Sequence, residues 1–161
     1  MSGERYPWPD DHRPDRCPVY SHNQLAIAAP LEVVWAYLVR APRWPEFYSN
    51  ALRVEIEGGA DELALGATFR WTTFRLRVTT TVREFEPRRR LAWFGTGYGS
   101  SGYHTWTLDP DPGGCLVVTE ETQRGLLPGL GRLYIRRALH RQHQAWLEGL
   151  ARMSAGGTPA P

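Results

Sequence analysis

No lysine occurs anywhere in this sequence, and all nineteen basic side chains are arginine. That absence excludes Schiff-base and lysine-activated chemistry at a stroke. Cysteine is nearly absent as well, with only Cys17 and Cys115, too few for a disulfide framework. No apolar run approaches the roughly 18 residues of a membrane span. The first residues carry no signal-peptide pattern, so a cytoplasmic protein is the expectation. Charge of one sign is also scarce: the formal net charge is only +2. A nucleic-acid partner usually demands a strongly basic face, and none is expected here.

What the chain does have is aromatic mass, with seven Trp, seven Tyr and five Phe among 161 residues. Core packing accounts for most such residues. An aromatic-lined hollow is the sharper reading, because ligand pockets are mainly apolar with few polar groups. The length suits one domain with a substantial core. Residues 1–16 are polar, Pro-rich and aperiodic, which reads as a flexible arm, although Tyr6 and Trp8 could pack back on the body. The domain proper is expected over 17–154, and the tail from Ala155 reads like the arm.

Val19 to Ala28 is a plausible first strand. Pro30 suits a first helical position, and Leu31, Val34, Trp35 and Leu38 recur at i, i+3, i+4 and i+7, one apolar face of a short helix ending before Pro42. A second short helix or turn covers 43–48. Six runs then read as strands, roughly 51–57, 67–74, 75–86, 90–98, 101–109 and 114–124. Gly58-Gly59, Pro87, Gly99 with Gly102, and the Asp109–Gly114 cluster separate most of them. The join near Phe74 carries no turn signal. Gly125 to Gly131 reads as a loop, with Gly hinges around its leucines, and a long helix from about Leu130 to Met153 closes the chain. On that helix Ile135, Leu139, Gln142, Trp146, Leu150 and Met153 keep a 3.6-residue stripe. One strand before the first helices and six after them is an α+β order.

The segment IleAlaAlaProLeuGluValValTrpAlaTyrLeu (27–38), followed by ArgTrpProGluPhe (43–47), resembles the helical opening of the SRPBCC or START-like superfamily. Leu65-Gly66, Pro87 with Leu91 and Trp93, His104-Thr105-Trp106-Thr107-Leu108, and Gly114 to Gly125 with its Glu121 fall in the same order. That superfamily includes polyketide cyclase/dehydrase-type proteins, lipid-transfer domains and pollen-allergen-type ligand binders. The resemblance covers about residues 19–153. It implies a helix-grip fold: a seven-stranded antiparallel sheet wrapped around the C-terminal helix, with two small helices closing one end. It implies a cavity and no particular reaction, since fold does not fix function.

Strand alternation names the cavity wall. On the last strand Val117, Thr119, Glu121 and Gln123 share the face that, by the resemblance, points to the long helix. His104 and Trp106 correspond on the strand before, then Trp93, with Phe69 and Trp71 extending the wall. Trp44 and Phe47 from the helical opening, and Tyr134, Ala138 and Gln142 from the long helix, complete the expected ligand contacts. Glu121 and His104 are the candidate catalytic pair. A carboxylate in an apolar hollow is pushed toward the range useful for proton transfer, and an imidazole can serve as its partner. Tyr48, Tyr98, Tyr103 or Tyr134 could steady an enolate oxygen. The ordinary alternatives are a Glu paired with Arg53 or Arg70, and a His bonded within the sheet.

No cofactor is expected. Gly95, Gly97 and Gly99 lie in a strand with no following helix, so they do not form a phosphate loop; they let a strand bend or a ligand approach. His140 and His143 lie three apart on the long helix, but only Glu148 lies near them, and no metal is expected. Three functional readings follow. The chain is a cyclase/dehydrase-like enzyme acting on a polyketide-like substrate, a non-catalytic carrier of a lipid or other hydrophobic small molecule, or an assembly module. The oligomeric state is open. One expectation is directly checkable: Cys17 and Cys115 should sit near opposite ends of antiparallel strands. Ten residues of strand span about 33 Å, against the roughly 7 Å limit for bridged Cα atoms, so they should not form a disulfide.

Overall fold

A computed structural model describes residues 6–160. Seven strands form one antiparallel sheet: β1 (Val19–Ile27), β2 (Leu52–Ile56), β3 (Thr68–Thr73), β4 (Leu76–Glu86), β5 (Arg90–Gly97), β6 (Ser100–Asp111) and β7 (Gly114–Gly125). Their spatial order is β1-β7-β6-β5-β4-β3-β2, so the first strand lies beside the last. The chain crosses from β1 to the far edge through α1 (Leu31–Val39) and a 3-10 segment (Ala41–Glu46). The sheet wraps around the long helix, giving the α+β helix-grip fold with two short helical segments between the first and second strands.

Pro30 flanks α1 rather than lying inside it, which costs the helix no hydrogen bond. Val34, Trp35 and Leu38 are buried as their spacing requires. The unsignalled join between β3 and β4 is a two-residue turn in which Phe74 and Arg75 both take positive φ. Such turns match the twist of flanking strands but usually recruit Asn or Gly. Here Asn50 supplies the compensation from outside. Its Oδ1 accepts from the Phe74 N–H at 2.8 Å, and its amide donates to the Thr73 hydroxyl at 3.1 Å.

Three segments differ from the sequence reading. The stretch expected as a loop holds a short helix, α2 (Leu126–Leu130), and the long helix α3 begins after it at Arg132 and runs to Ala155. Leu126, Leu127 and Leu130 stay exposed, so no apolar stripe announces this turn. Residues 6–16 lie against the outer face of the sheet instead of hanging free; the expected arm's first five residues fall outside the described residues. The Tyr6 hydroxyl donates to Glu86 at 2.7 Å beneath the Arg90 guanidinium, and Trp8 meets Tyr20 and Tyr103 edge-on. His12 is buried between Thr122 and Ser101. Isolated anchors of this kind have no period and leave no sequence pattern. The tail, too, is held: Tyr37 donates to the Gly157 carbonyl at 3.0 Å, and Arg40 and Arg43 donate to that of Ala160.

Cys115 pairs with Ile27 at one end of β1, whereas Cys17 precedes the other end, and both thiols are free. The core is richest in indoles. Trp44 sits at its centre, 4.9 Å from Trp146 and about as close to Trp71 and Trp93 by ring centroids. Gly149 lets α3 come down on this layer, since a Cβ there would lie 2.4 Å from the Phe47 carbonyl. Trp35, 8% exposed and edge-on to Phe85, seals the α1 side. Trp35→Ala should therefore cost ~3–5 kcal/mol through the void it leaves; a loss under about 1 kcal/mol in denaturant unfolding would contradict this packing.

Candidate functional site

The inner face of the sheet changes character along its length. On β5, inward positions run Leu91, Trp93, Gly95, Gly97; on β6 they run Leu108, Trp106, His104, Gly102, Ser100. Large rings fill one end, and at the other the side chains vanish. The result is a cavity of about 230 Å³ between sheet and α3. A dry 150 Å³ cavity holds a benzene, so this one suits roughly one or two fused six-membered rings. Trp71, Val78, Trp93, Ile135, Ala138, Leu139 and Trp146 form apolar wall, and Leu127, Pro128, Phe74 and Leu76 ring its mouth with Tyr134.

One polar cluster breaks this surface. His104 and Glu121 are directly opposed across the β6–β7 ladder, and His143 of α3 closes onto them from the helix side. Glu121 Oε2 lies 3.0 Å from His143 Nε2 and 3.3 Å from His104 Nδ1. The other carboxylate oxygen accepts from the Gln123 amide at 2.8 Å. His104 Nε2 meets the Thr119 hydroxyl at 2.7 Å, and the two imidazoles stack with centroids 4.5 Å apart. Gly102 leaves the carboxylate its room, since a Cβ there would come within 3.0 Å of Oε1.

Burial, reinforced by His143 and only partly offset by Glu121, pushes the His104 imidazole down to about 3, so it is neutral at pH 7. Burial by itself would raise Glu121, but the two imidazoles and the Gln123 amide outweigh it and hold the carboxyl below its ordinary value. The ring of a neutral His104 serves the carboxylate as an N–H donor rather than as a counter-cation. Tyr48, stacked on Trp146 at 4.2 Å, lines the same cavity. Burial keeps its hydroxyl protonated far above neutrality. Its oxygen accepts from Asn50, which leaves its O–H proton to donate on the cavity wall.

Of the residues expected to meet a ligand, Trp71, Trp93, Tyr134 and Ala138 line the cavity with His104 and Glu121. Trp44, Phe69 and Trp106 do not: all three are fully buried in the indole layer, where bulk fills the space that the glycines leave open further along. Phe47 lies under Gly149 and edge-on to Tyr37, on the far side of that layer. Thr119 stands behind His104 and reaches the cavity only through it. Gln142 is a half-buried amide on the flank of α3, outside the lining. Tyr103 faces outward and bonds Glu84, and Tyr98 is an exposed turn residue. His143 is the member that sequence reasoning missed. Helical spacing sets it beside the exposed His140 of its own helix, whereas its partners sit on β6 and β7. The inward glycines 95, 97 and 102 are the available signal for where the hollow lies.

The ligand atoms of His104, Glu121 and His143 all lie within 4.8 Å of one another, the one such group able to hold a metal ion among the described residues. The expectation of no metal weighs only Glu148 beside His140 and His143 along the helix; the carboxylate at 3.0 Å from His143 is Glu121, from the strand. No helix among the described residues is long and apolar enough to cross a membrane.

A curved sheet gripping a helix over a lined hollow defines a helix-grip protein that binds hydrophobic ligands. The family model described as polyketide cyclase / dehydrase and lipid transport matches residues 22–154, and the chain belongs to that family. Among solved structures it is similar to the hypothetical protein jhp0584 from Helicobacter pylori, at 26% identity and a TM-score of 0.85, over 91% of this chain and 94% of that one. TTHA0849 from Thermus thermophilus is 17% identical with a TM-score of 0.73, over 87% of this chain and 99% of that one. The di-domain ARO/CYC StfQ from the steffimycin biosynthetic pathway is 18% identical with a TM-score of 0.71, over 86% of this chain and 51% of StfQ. No curated protein matches the chain.

Both shifts in the cluster act in the same direction on stability. A His whose folded pKa is lowered stabilises fully above its unfolded value of 6.5, and that contribution is lost as pH falls toward about 3. A lowered Glu contributes above 4.5, and loses that contribution as pH drops through its folded value. Chelator-treated protein should therefore lose melting temperature progressively from pH 6.5 downward, and His104→Gln should flatten the slope. An unchanged slope would remove His104 as its source.

Proposed function

We propose that the cavity receives a folded, polyketide-like substrate and that Glu121 acts as its general base, making this protein a cyclase/dehydratase-type enzyme of the cytoplasm. The observation that carries this reading is a largely buried carboxylate within 3.0 and 3.3 Å of two imidazoles on the wall of a mainly apolar hollow. Glu121 removes the proton α to a substrate carbonyl, and the electron pair moves onto the carbonyl oxygen. The Tyr48 hydroxyl donates to the enolate oxygen so formed. When the enolate collapses, a β-hydroxyl leaves with the proton held by Glu121, so the net loss is one water. His104 and His143 orient the carboxylate and restore its charge state, while Thr119 positions His104. The apolar wall excludes bulk water and holds the chain folded, and such orientation can supply ~7–11 kcal/mol of the barrier.

A carrier of lipids or other hydrophobic molecules is the second reading, and Leu127 at the mouth, with Leu126 and Leu130 exposed on the same short helix, favours it. One pair of variants separates the two. Glu121→Gln keeps the shape of the side chain and should lower dehydration of a β-hydroxyketone substrate by roughly 10²–10⁴-fold. Its affinity for the same ligand by calorimetry should hold within about threefold. Ala138→Phe fills the cavity away from the cluster and should abolish binding and turnover together. Turnover unchanged in Glu121→Gln would remove the acid–base role, and binding unchanged in Ala138→Phe would remove the cavity itself.

A further inference from the structure

We propose that His104 Nδ1, Glu121 Oε2 and His143 Nε2 form a binding site for a divalent first-row transition ion such as Zn²⁺ or Fe²⁺, open toward the cavity. The ion goes beyond the acid–base reading and does not depend on it; both use Glu121, and an ion on Oε2 would replace general-base action by that oxygen. Two imidazoles and one carboxylate match the donor preferences of these ions.

Two of the three donor separations match those around a shared ion, and all three donors lie within 4.8 Å of one another. With metal–ligand bonds of about 2.1 Å, neighbouring donors stand about 3.0 Å apart in octahedral geometry and about 3.4 Å apart in tetrahedral geometry. Glu121 Oε2 is 3.0 Å from one imidazole nitrogen and 3.3 Å from the other. The three donors come from β6, β7 and α3, so the fold sets their convergence rather than one flexible segment.

The outer contacts fit as well. The Thr119 hydroxyl, 2.7 Å from the far nitrogen of His104, can accept its N–H once an ion displaces the Nδ1 proton, which frees the Nδ1 lone pair for the common point. The Gln123 amide holds the second carboxylate oxygen at 2.8 Å and leaves Oε2 to ligate. Such outer partners fix tautomer and orientation in metal sites. Three protein donors leave coordination positions free, and all three residues line the cavity. A ligand carbonyl oxygen entering there would meet the ion and be polarised by it.

The test uses the tag-free full chain, stripped with chelator and titrated with Zn²⁺ by calorimetry and with Co²⁺ by visible absorption. One ion per chain is expected, with a d–d band and a raised melting temperature. Glu121→Gln and His143→Asn should each weaken affinity at least tenfold, and Gln123→Ala severalfold, while exposed His140→Asn leaves it unchanged. Circular dichroism and a cooperative melt establish that each variant is folded. Saturation only above about 1 mM, or affinity unchanged in folded Glu121→Gln and His143→Asn, would overturn the site. Failure here leaves the acid–base reading standing if chelated protein still turns over a β-hydroxyketone. Metal binding in a protein that binds no hydrophobic ligand would sink that reading and spare this one.

Discussion

The carboxylate of Glu121 is the constraint around which this molecule is organised. Removing a charge from water costs far more than one hydrogen bond returns, so a buried carboxylate persists only where several donors meet it. Here they arrive from three directions: His104 across the ladder, Gln123 from its own strand, and His143 from the helix. The last is the consequential one. It makes the seating of α3 on the sheet a condition for solvating the charge internally, and so ties a polar requirement to the packing of the whole fold.

That seating is otherwise apolar. Trp44, Trp71, Trp93, Trp106 and Trp146 fill one end of the helix–sheet interface with edge-on and tilted rings. Gly149 allows the close approach that brings α3 onto them. Past Trp93 and His104, the inward side chains shrink to Gly95, Gly97 and Gly102, and the two layers can no longer fill the gap. The hollow is thus a consequence of where bulk stops, with the polar cluster placed at the boundary. A charge set there is dry on one side and addressable on the other.

Most of this architecture was legible in the sequence because it rests on period-two alternation and on punctuating Gly and Pro residues. The strand boundaries, the α1 face, and the inward pointing of His104 and Glu121 all follow from it. What escaped was set by contacts distant in the chain. Residues 6–16 are held by single anchors such as His12 on Thr122, and α2 presents its leucines to solvent. Trp44, Phe69 and Trp106 look the same as Trp71 and Trp93 in a linear reading, because alternation gives the face of a residue and not how far along the interface space remains. His143 needed partners on strands some twenty and forty residues away, which no helical spacing reveals.

The distribution of indoles has a practical corollary. Trp71, Trp93 and Trp146 stand on the cavity wall, and Trp44 and Trp106 lie 4.9–5.5 Å from one or another of them, ring centre to ring centre. Excitation absorbed by one ring can migrate to its neighbours. The protein therefore carries its own optical reporter, and a guest entering the hollow will register in its intrinsic emission with no label attached.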